Sequence, residues 1–237
     1  MWISRQKGAC AVALALATAL LSGAAAGEGD KTASTKAGDL KPLNIELPRP
    51  AFKGTPKHAP LGANLEKPRK GRRPPFLAPA GSRNVAAGRP VTSTDSEPII
   101  GEIKFATDGD KAARDGSYVE LGPGLQHLQI DLGASCKVHA VLLWHYHASA
   151  RIYRDVVIQL SDDPAFKSGV KTLFNNDHDN SSKLGLGEDK EFWETFEGKL
   201  VDAQGASGRY LRLYSNGSTE DDMNHYTEVE VFGLPIK

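Results

Sequence analysis

Cysteine is almost missing from this chain. Only Cys10 and Cys136 occur in its 237 residues, and Cys10 falls in a leader expected to be removed. A body that keeps Cys136 alone can close no internal disulfide, so its stability must come from an apolar core or a bound metal. Long apolar runs are missing as well. Ala9–Leu21 is uncharged but shorter than the ~20 residues that span a bilayer. With Arg5 and Lys7 before it and Ser22-Gly-Ala-Ala-Ala26 after it, this run reads as a secretory signal peptide cleaved near Ala24–Ala26. Cys10 lies too early for a lipid-modified cysteine, which excludes a lipoprotein. No amphipathic helical period of any length is present. Nor is there a nucleophile motif, a Gly-rich phosphate loop, a carboxylate pair in a recognisable context, or an HxxxH or HExxH pattern that would place two metal ligands on one element. The expectation is a protein that binds and does not catalyse.

What is present divides the chain. Gly27 to about Gly81 has no repeating apolar period and is broken by Pro42, Pro48, Pro50, Pro56, Pro60, Pro68, Pro74, Pro75 and Pro79, so residues 27–82 are expected to be a disordered, Pro/Lys/Arg-rich tether. The tether carries a cationic cluster, Lys67-Pro-Arg-Lys-Gly-Arg-Arg73. Adhesion to an anionic polymer is one reading of it and a solvated spacer the other. The spacer is favoured because no aromatic residues interleave with the charges. From Ser93 onward acidic residues outnumber Lys and Arg, so the net charge of zero hides a basic arm on an acidic body, a poor partner for nucleic acid.

Residues 83–237 read as strands. In His127-Leu-Gln-Ile-Asp-Leu-Gly133 the apolar Leu128, Ile130 and Leu132 alternate with Gln129 and Asp131, the period of a strand with one dry face. Val138-His-Ala-Val-Leu-Leu-Trp144 is almost continuously apolar, as a strand buried on both sides would be. Val119-Glu-Leu121, Asp155-Val-Val-Ile-Gln-Leu-Ser161, Arg209-Tyr-Leu-Arg-Leu-Tyr214 and Thr227-Glu-Val-Glu-Val-Phe232 are further strands, and Phe174–Phe192 is a long polar loop. The fold class that results is all-β, an antiparallel β-sandwich or jelly roll of about eight short strands.

Gln129-Ile-Asp-Leu-Gly133, Gln159-Leu-Ser-Asp-Asp163, Gly208-Arg-Tyr-Leu-Arg-Leu213 and Glu228-Val-Glu-Val-Phe-Gly233 resemble, in the same order, successive strand motifs of the discoidin or coagulation factor V/VIII C-type domains of the galactose-binding-like superfamily. The resemblance covers roughly Asn84–Pro235. It implies a domain that binds carbohydrate, phospholipid or protein through loops at one end of the sandwich. It also implies a structural Ca²⁺ between an early Asp-Gly-Asp turn and the last strand, positions held here by Asp108-Gly-Asp110 and Glu228. By that analogy Asp108 and Glu228 supply side-chain oxygens, while Phe105, Asp110, Ser117 and Thr227 supply mainly carbonyls, matching the six to eight hard oxygens Ca²⁺ takes.

The ligand-binding candidates are the polar residues of three loops: His145, His147, Arg151 and Arg154; Asn176, Asp177 and His178; Asn224 and His225. Planar, bidentate polar groups beside aromatic faces suit a sugar's hydroxyls and its apolar side. Competing readings are that Asp177 and His178 only fold their loop, or that the histidines hold a transition metal. Phe192-Trp193 is the sole candidate membrane spike, but Glu188, Asp189, Glu191, Glu194 and Glu197 surround it and would be repelled by an anionic bilayer. The expectation is therefore a secreted, periplasmic or cell-surface module that binds a glycan or cell-surface polysaccharide, without nucleic acid or membrane insertion. A protein-interaction or scaffold domain is the alternative.

Overall fold

The computed structural model describes residues 40–51 and 63–236; the expected signal peptide lies outside them. The architecture is all-β and antiparallel, with ten strands among the described residues: β1 (Leu40–Pro42), β2 (Leu77–Pro79), β3 (Arg83–Asn84), β4 (Val91–Ser93), β5 (Val119–Leu121), β6 (Gln126–His145), β7 (Val157–Ser161), β8 (Lys171–Asn175), β9 (Lys199–Ser215) and β10 (Asn224–Pro235). One short 3₁₀ turn, Ile103–Thr107, interrupts them.

The two runs expected as separate strands are one. β6 passes from one layer of the sandwich to the other, and its ladder breaks between Asp131 and Cys136. Gly133, at φ +85°, supplies the left-handed backbone that this bend requires. Before the bend β6 lies between β4 (Val91 opposite Ile130) and β9 (Leu213 opposite Leu128). After it, β6 lies between β10 (Val231 opposite Val141) and β9 (Val201 opposite Val141). β9 bends likewise and carries β7 and then β8 on its outer side. The inner faces of both halves meet in a single core that includes Leu128, Ile130, Leu132, Leu143, Ile158, Leu160, Leu211, Leu213, Val229 and Val231. Each such side chain contributes ~1.5–3 kcal/mol when fully buried.

The other face of β6 explains a departure from expectation. Ala140, Leu142 and Trp144 point away from the main core and form a second cluster with Phe232, covered by Leu43, Ile45, Phe76 and Leu200. Three of those covers come from the stretch expected to be an unstructured tether. In its described parts that stretch lies on the sandwich: β1 pairs with β2, Leu43 N donates to Phe76 O, and Leu65 is buried. The physical reason is that a strand apolar on both faces needs a cover on both, and scattered apolar residues in a proline-rich segment provide it without any helical or strand period. Phe174–Phe192 is likewise not wholly loop, since Phe174 and Asn175 belong to β8 and both phenylalanines are buried edge-to-face, 5.8 Å apart.

Candidate functional site

At one end of the sandwich β5, the start of β10 and the chain leaving β6 converge. Alternation along β5 sends Val119 and Leu121 into the core and leaves Tyr118 and Glu120 on the opposite side. Register places Glu120 across from His225, and Glu120 Oε2 meets His225 Nε2 at 3.0 Å. Burial lowers the His225 pKa, so the ring is neutral near pH 7, with Nε2–H donating to Glu120 and the Tyr153 hydroxyl donating to Nδ1 at 2.9 Å. Tyr118 and Tyr146 pack edge-to-face at 5.0 Å, and both rings lie against His225. Over Tyr146, at 4.8 Å, sits the Arg151 guanidinium. Arg151 is held there by donation from Nη1 to Asp221 Oδ2 (3.2 Å) and from Nε and Nη2 to Ser149 Oγ (3.2 and 3.0 Å). The result is a fixed cation–π pair beside a fixed His–carboxylate pair, rimmed by the half-buried Tyr146, Ser149, Glu120 and Asp221.

Arg151 and His225 are thus brought together, while the other expected binding residues are placed elsewhere. His145 is fully buried, stacked on Tyr153 at 4.2 Å and bonded through Nδ1 to Glu194 Oε1 at 2.6 Å. His147 is buried, with Nε2 donating to Lys111 O at 2.8 Å and its pKa lowered by burial. Asn224 is buried with its amide fully used, accepting from Ser215 Oγ and Gly217 N and donating to Gly122 O and Gly124 O. Asn176 Oδ1 accepts from Val156 N at 2.7 Å. Arg154 is exposed and reaches Asp222 at 3.8 Å. Polar residues buried to satisfy the backbone, as His147, Asn176 and Asn224 are, carry the same signature in sequence as polar residues offered to a ligand.

Asp177 folds its loop. Burial alone would raise its carboxyl, but hydrogen bonds from Ser182 Oγ and N and from Ser181 N outweigh that and hold it below the usual range. Asp177 also approaches Asp155 and Asp179, the one group of three potential ligating side chains found among the described residues. Their oxygens accept from Ser181 and Asn216, and no histidine belongs to the group. His178 stands beside it, half-buried, with Nε2 lacking a partner.

Of the expected calcium ligands, Glu228 meets the Asp108-Gly109-Asp110 turn. Glu228 is fully buried. Its Oε2 accepts from Gly109 N at 3.0 Å, and its Oε1 has no hydrogen-bond partner. Burial, reinforced by the Glu230 and Asp108 carboxylates and only partly offset by Gly109 N and Lys111, pushes its pKa up to about 8. The ladder shifts register between Tyr226 and Glu228, which puts Thr227 in a bulge. The side chains of Asp110, Ser117 and Thr227 are engaged with Ala112 N, Arg114 and His145 O. Asp108 Oδ1 accepts from Asp110 N, and Phe105 O takes a long 3.4 Å bond from Asp108 N. An orphaned buried carboxylate oxygen next to a tight acidic turn fits a hard cation.

Tyr118, Ser149 and Asp221 were not anticipated at the site. Tyr118 was legible in the alternation of Tyr118 and Glu120 with Val119 and Leu121; Asp221 was not, since nothing local ties it to Arg151.

No family model matches the chain, and no curated protein matches it. Solved structures do align with it. They include chitosan-binding module 1 of a chitosanase/glucanase from Paenibacillus sp. IK-5 (19% identity, 64% of this chain and 99% of that one, TM-score 0.44). Others are a fucose-binding module of Streptococcus pneumoniae (19%, 65% and 96%, TM-score 0.46) and the CBM32 module of AlyQ in complex with 4,5-unsaturated mannuronic acid (20%, 60% and 93%, TM-score 0.40).

Proposed function

We propose that this protein is an exported, non-catalytic module that binds a glycan at the rim formed by Tyr118, Glu120, Tyr146, Ser149, Arg151 and His225. The observation that carries the reading is Arg151 locked over Tyr146 by Asp221 and Ser149, next to the Glu120–His225 pair. Rigid donors and acceptors beside the half-buried Tyr146 ring meet sugar hydroxyls without first losing side-chain freedom. Binding is favoured over catalysis at the rim because its histidine and the two nearest it in sequence after β6 are pinned: His225 between Tyr153 and Glu120, His145 to Glu194, and His147 to Lys111 O.

Glu228 and Asp108, with carbonyls of Phe105, Asp110, Ser117 and Thr227, would hold a Ca²⁺ whose charge compensates the buried carboxylate and ties the early turn to β10. Its role is structural. A glycan-array screen with calcium and with chelator tests the function. Binding of one or more neutral glycans is the expected result, and an empty array with calcium present would refute the glycan reading in favour of a protein-interaction module.

A further inference from the structure

The basic stretch Lys67–Arg73 does not hang free. Glu66 N donates to Glu191 O and Glu191 N to Asn64 O, which stitches one end of the stretch to the acidic loop ahead of β9. At the other end Arg73 clamps that loop: its backbone N donates to the Glu197 carboxylate at 3.1 Å, Nη2 to Glu197 O and Nη1 to Gly198 O, both at 2.9 Å. Gly198 is there for a steric reason, since it has φ +64° and a Cβ on it would lie 2.6 Å from the Trp144 ring. Between the two pinned ends opens a cleft of about 560 Å³, a size typical of small-ligand sites.

The cleft lining combines cations with aromatic rings. Lys67, Arg69, Arg73 and Lys199 face a wall that includes Trp193 and Phe196, together with Glu66, Glu194 and Glu197. Two of those carboxylates are paired with cations, Glu66 with Lys199 and Glu197 with Arg69 and Arg73, while Glu194 meets His145 through Oε1 and leaves Oε2 without a partner. Lys67 has no carboxylate partner among the described residues, and Lys67, Lys70 and Arg72 are exposed. Trp193 is half-buried, and its Nε1 donor is unpartnered. The basic stretch lacks interleaved aromatics in sequence, but the fold supplies them from the loop around residue 193.

We propose that this cleft is a second binding site, distinct from the rim, for an acidic polysaccharide bearing uronate or sulfate groups. Lys67, the one lining cation without a carboxylate partner among the described residues, meets the sugar's anionic groups with the exposed Lys70 and Arg72 close by in the chain, while Trp193 and Phe196 meet its apolar faces. Nucleic acid is the poorer occupant. Its denser phosphates would face Glu66, Glu194 and Glu197 in the lining, with Glu188, Asp189 and Glu191 nearby in the chain.

Affinity electrophoresis of the full chain through gels containing polygalacturonate, neutral galactan or no polymer, at low and high salt, tests this. The expected result is retardation by polygalacturonate that high salt abolishes and that falls about tenfold, the equivalent of ~1.4 kcal/mol, in Trp193→Ala. Lys67→Glu/Lys70→Glu changes only exposed side chains. It should show the same loss with an unchanged melting temperature and unchanged binding of any neutral glycan found on the array. No retardation by polygalacturonate, equal retardation of the doubly substituted protein, or tighter binding of a single-stranded oligonucleotide than of polygalacturonate would each overturn the proposal. Neutral-glycan failure at the rim reads out separately and leaves the polygalacturonate result intact.

Discussion

Replacing Phe76 by Ala removes a ring that covers the outer face of β6. Full burial of a phenylalanine makes such a truncation cost ~3–5 kcal/mol. Phe76 is half-buried against Ala140, Leu142, Trp144 and Phe232, so about half of that, ~2 kcal/mol, is expected. For a folded body of this size each kcal/mol lowers the melting temperature by roughly 2–4 °C, which predicts a drop of about 4–8 °C. Urea unfolding followed by tryptophan fluorescence is the direct assay, because Trp144 lies in the affected cluster and its Nε1 donates to Phe196 O at 3.0 Å. The adjacent Leu77 is the internal control: it is 53% exposed, and Leu77→Ala should stay within ~0.5 kcal/mol. If Phe76→Ala costs no more than Leu77→Ala, residues 40–51 and 63–82 do not cover the sheet, and the cleft built on them loses its wall.

Three further outcomes are expected. Burial, reinforced by the Arg212 cation, lowers the His127 pKa from 6.5 to about 4. The unfolded chain therefore binds more protons between those values, and stability falls as pH drops from about 6.5 to about 4, then levels off. Denaturation midpoints across that window should lose part of this slope in His127→Gln. Calcium should raise the melting temperature of the wild type and leave that of Glu228→Gln unmoved, with equal melting in calcium and chelator for both proteins dismissing the cation site; saturation at about a hundred times Kd corresponds to ~2.7 kcal/mol. Tyr226→Phe deletes a buried hydroxyl that donates to Leu213 O at 3.0 Å and meets Ser215 Oγ at 2.9 Å, and should cost ~1–2 kcal/mol in urea unfolding.

The layers were legible because Leu128, Ile130 and Leu132 alternate and Val138–Trp144 does not, and both patterns survive folding as one-sided and two-sided burial. A two-sided strand demanded a second cover, and Leu43, Ile45 and Phe76 were the apolar residues available for it. The site was legible only at Arg151 and His225. His145, Asn224 and Asp177 carry the same chemistry but spend it on Glu194, on the turns at Gly122 and Gly217, and on Ser181 and Ser182. Burial decides between the two uses, and it depends on chain segments distant in sequence, as Asp221 does for Arg151.

The rim is tested most directly by isothermal titration of the best neutral oligosaccharide from the array into wild type and Arg151→Lys. Lysine keeps the charge but loses the planar fork that Asp221, Ser149 and Tyr146 hold in place. The account predicts a Kd weakened about tenfold at a temperature where circular dichroism shows both proteins fully folded, whereas equal affinities in the two proteins would contradict it.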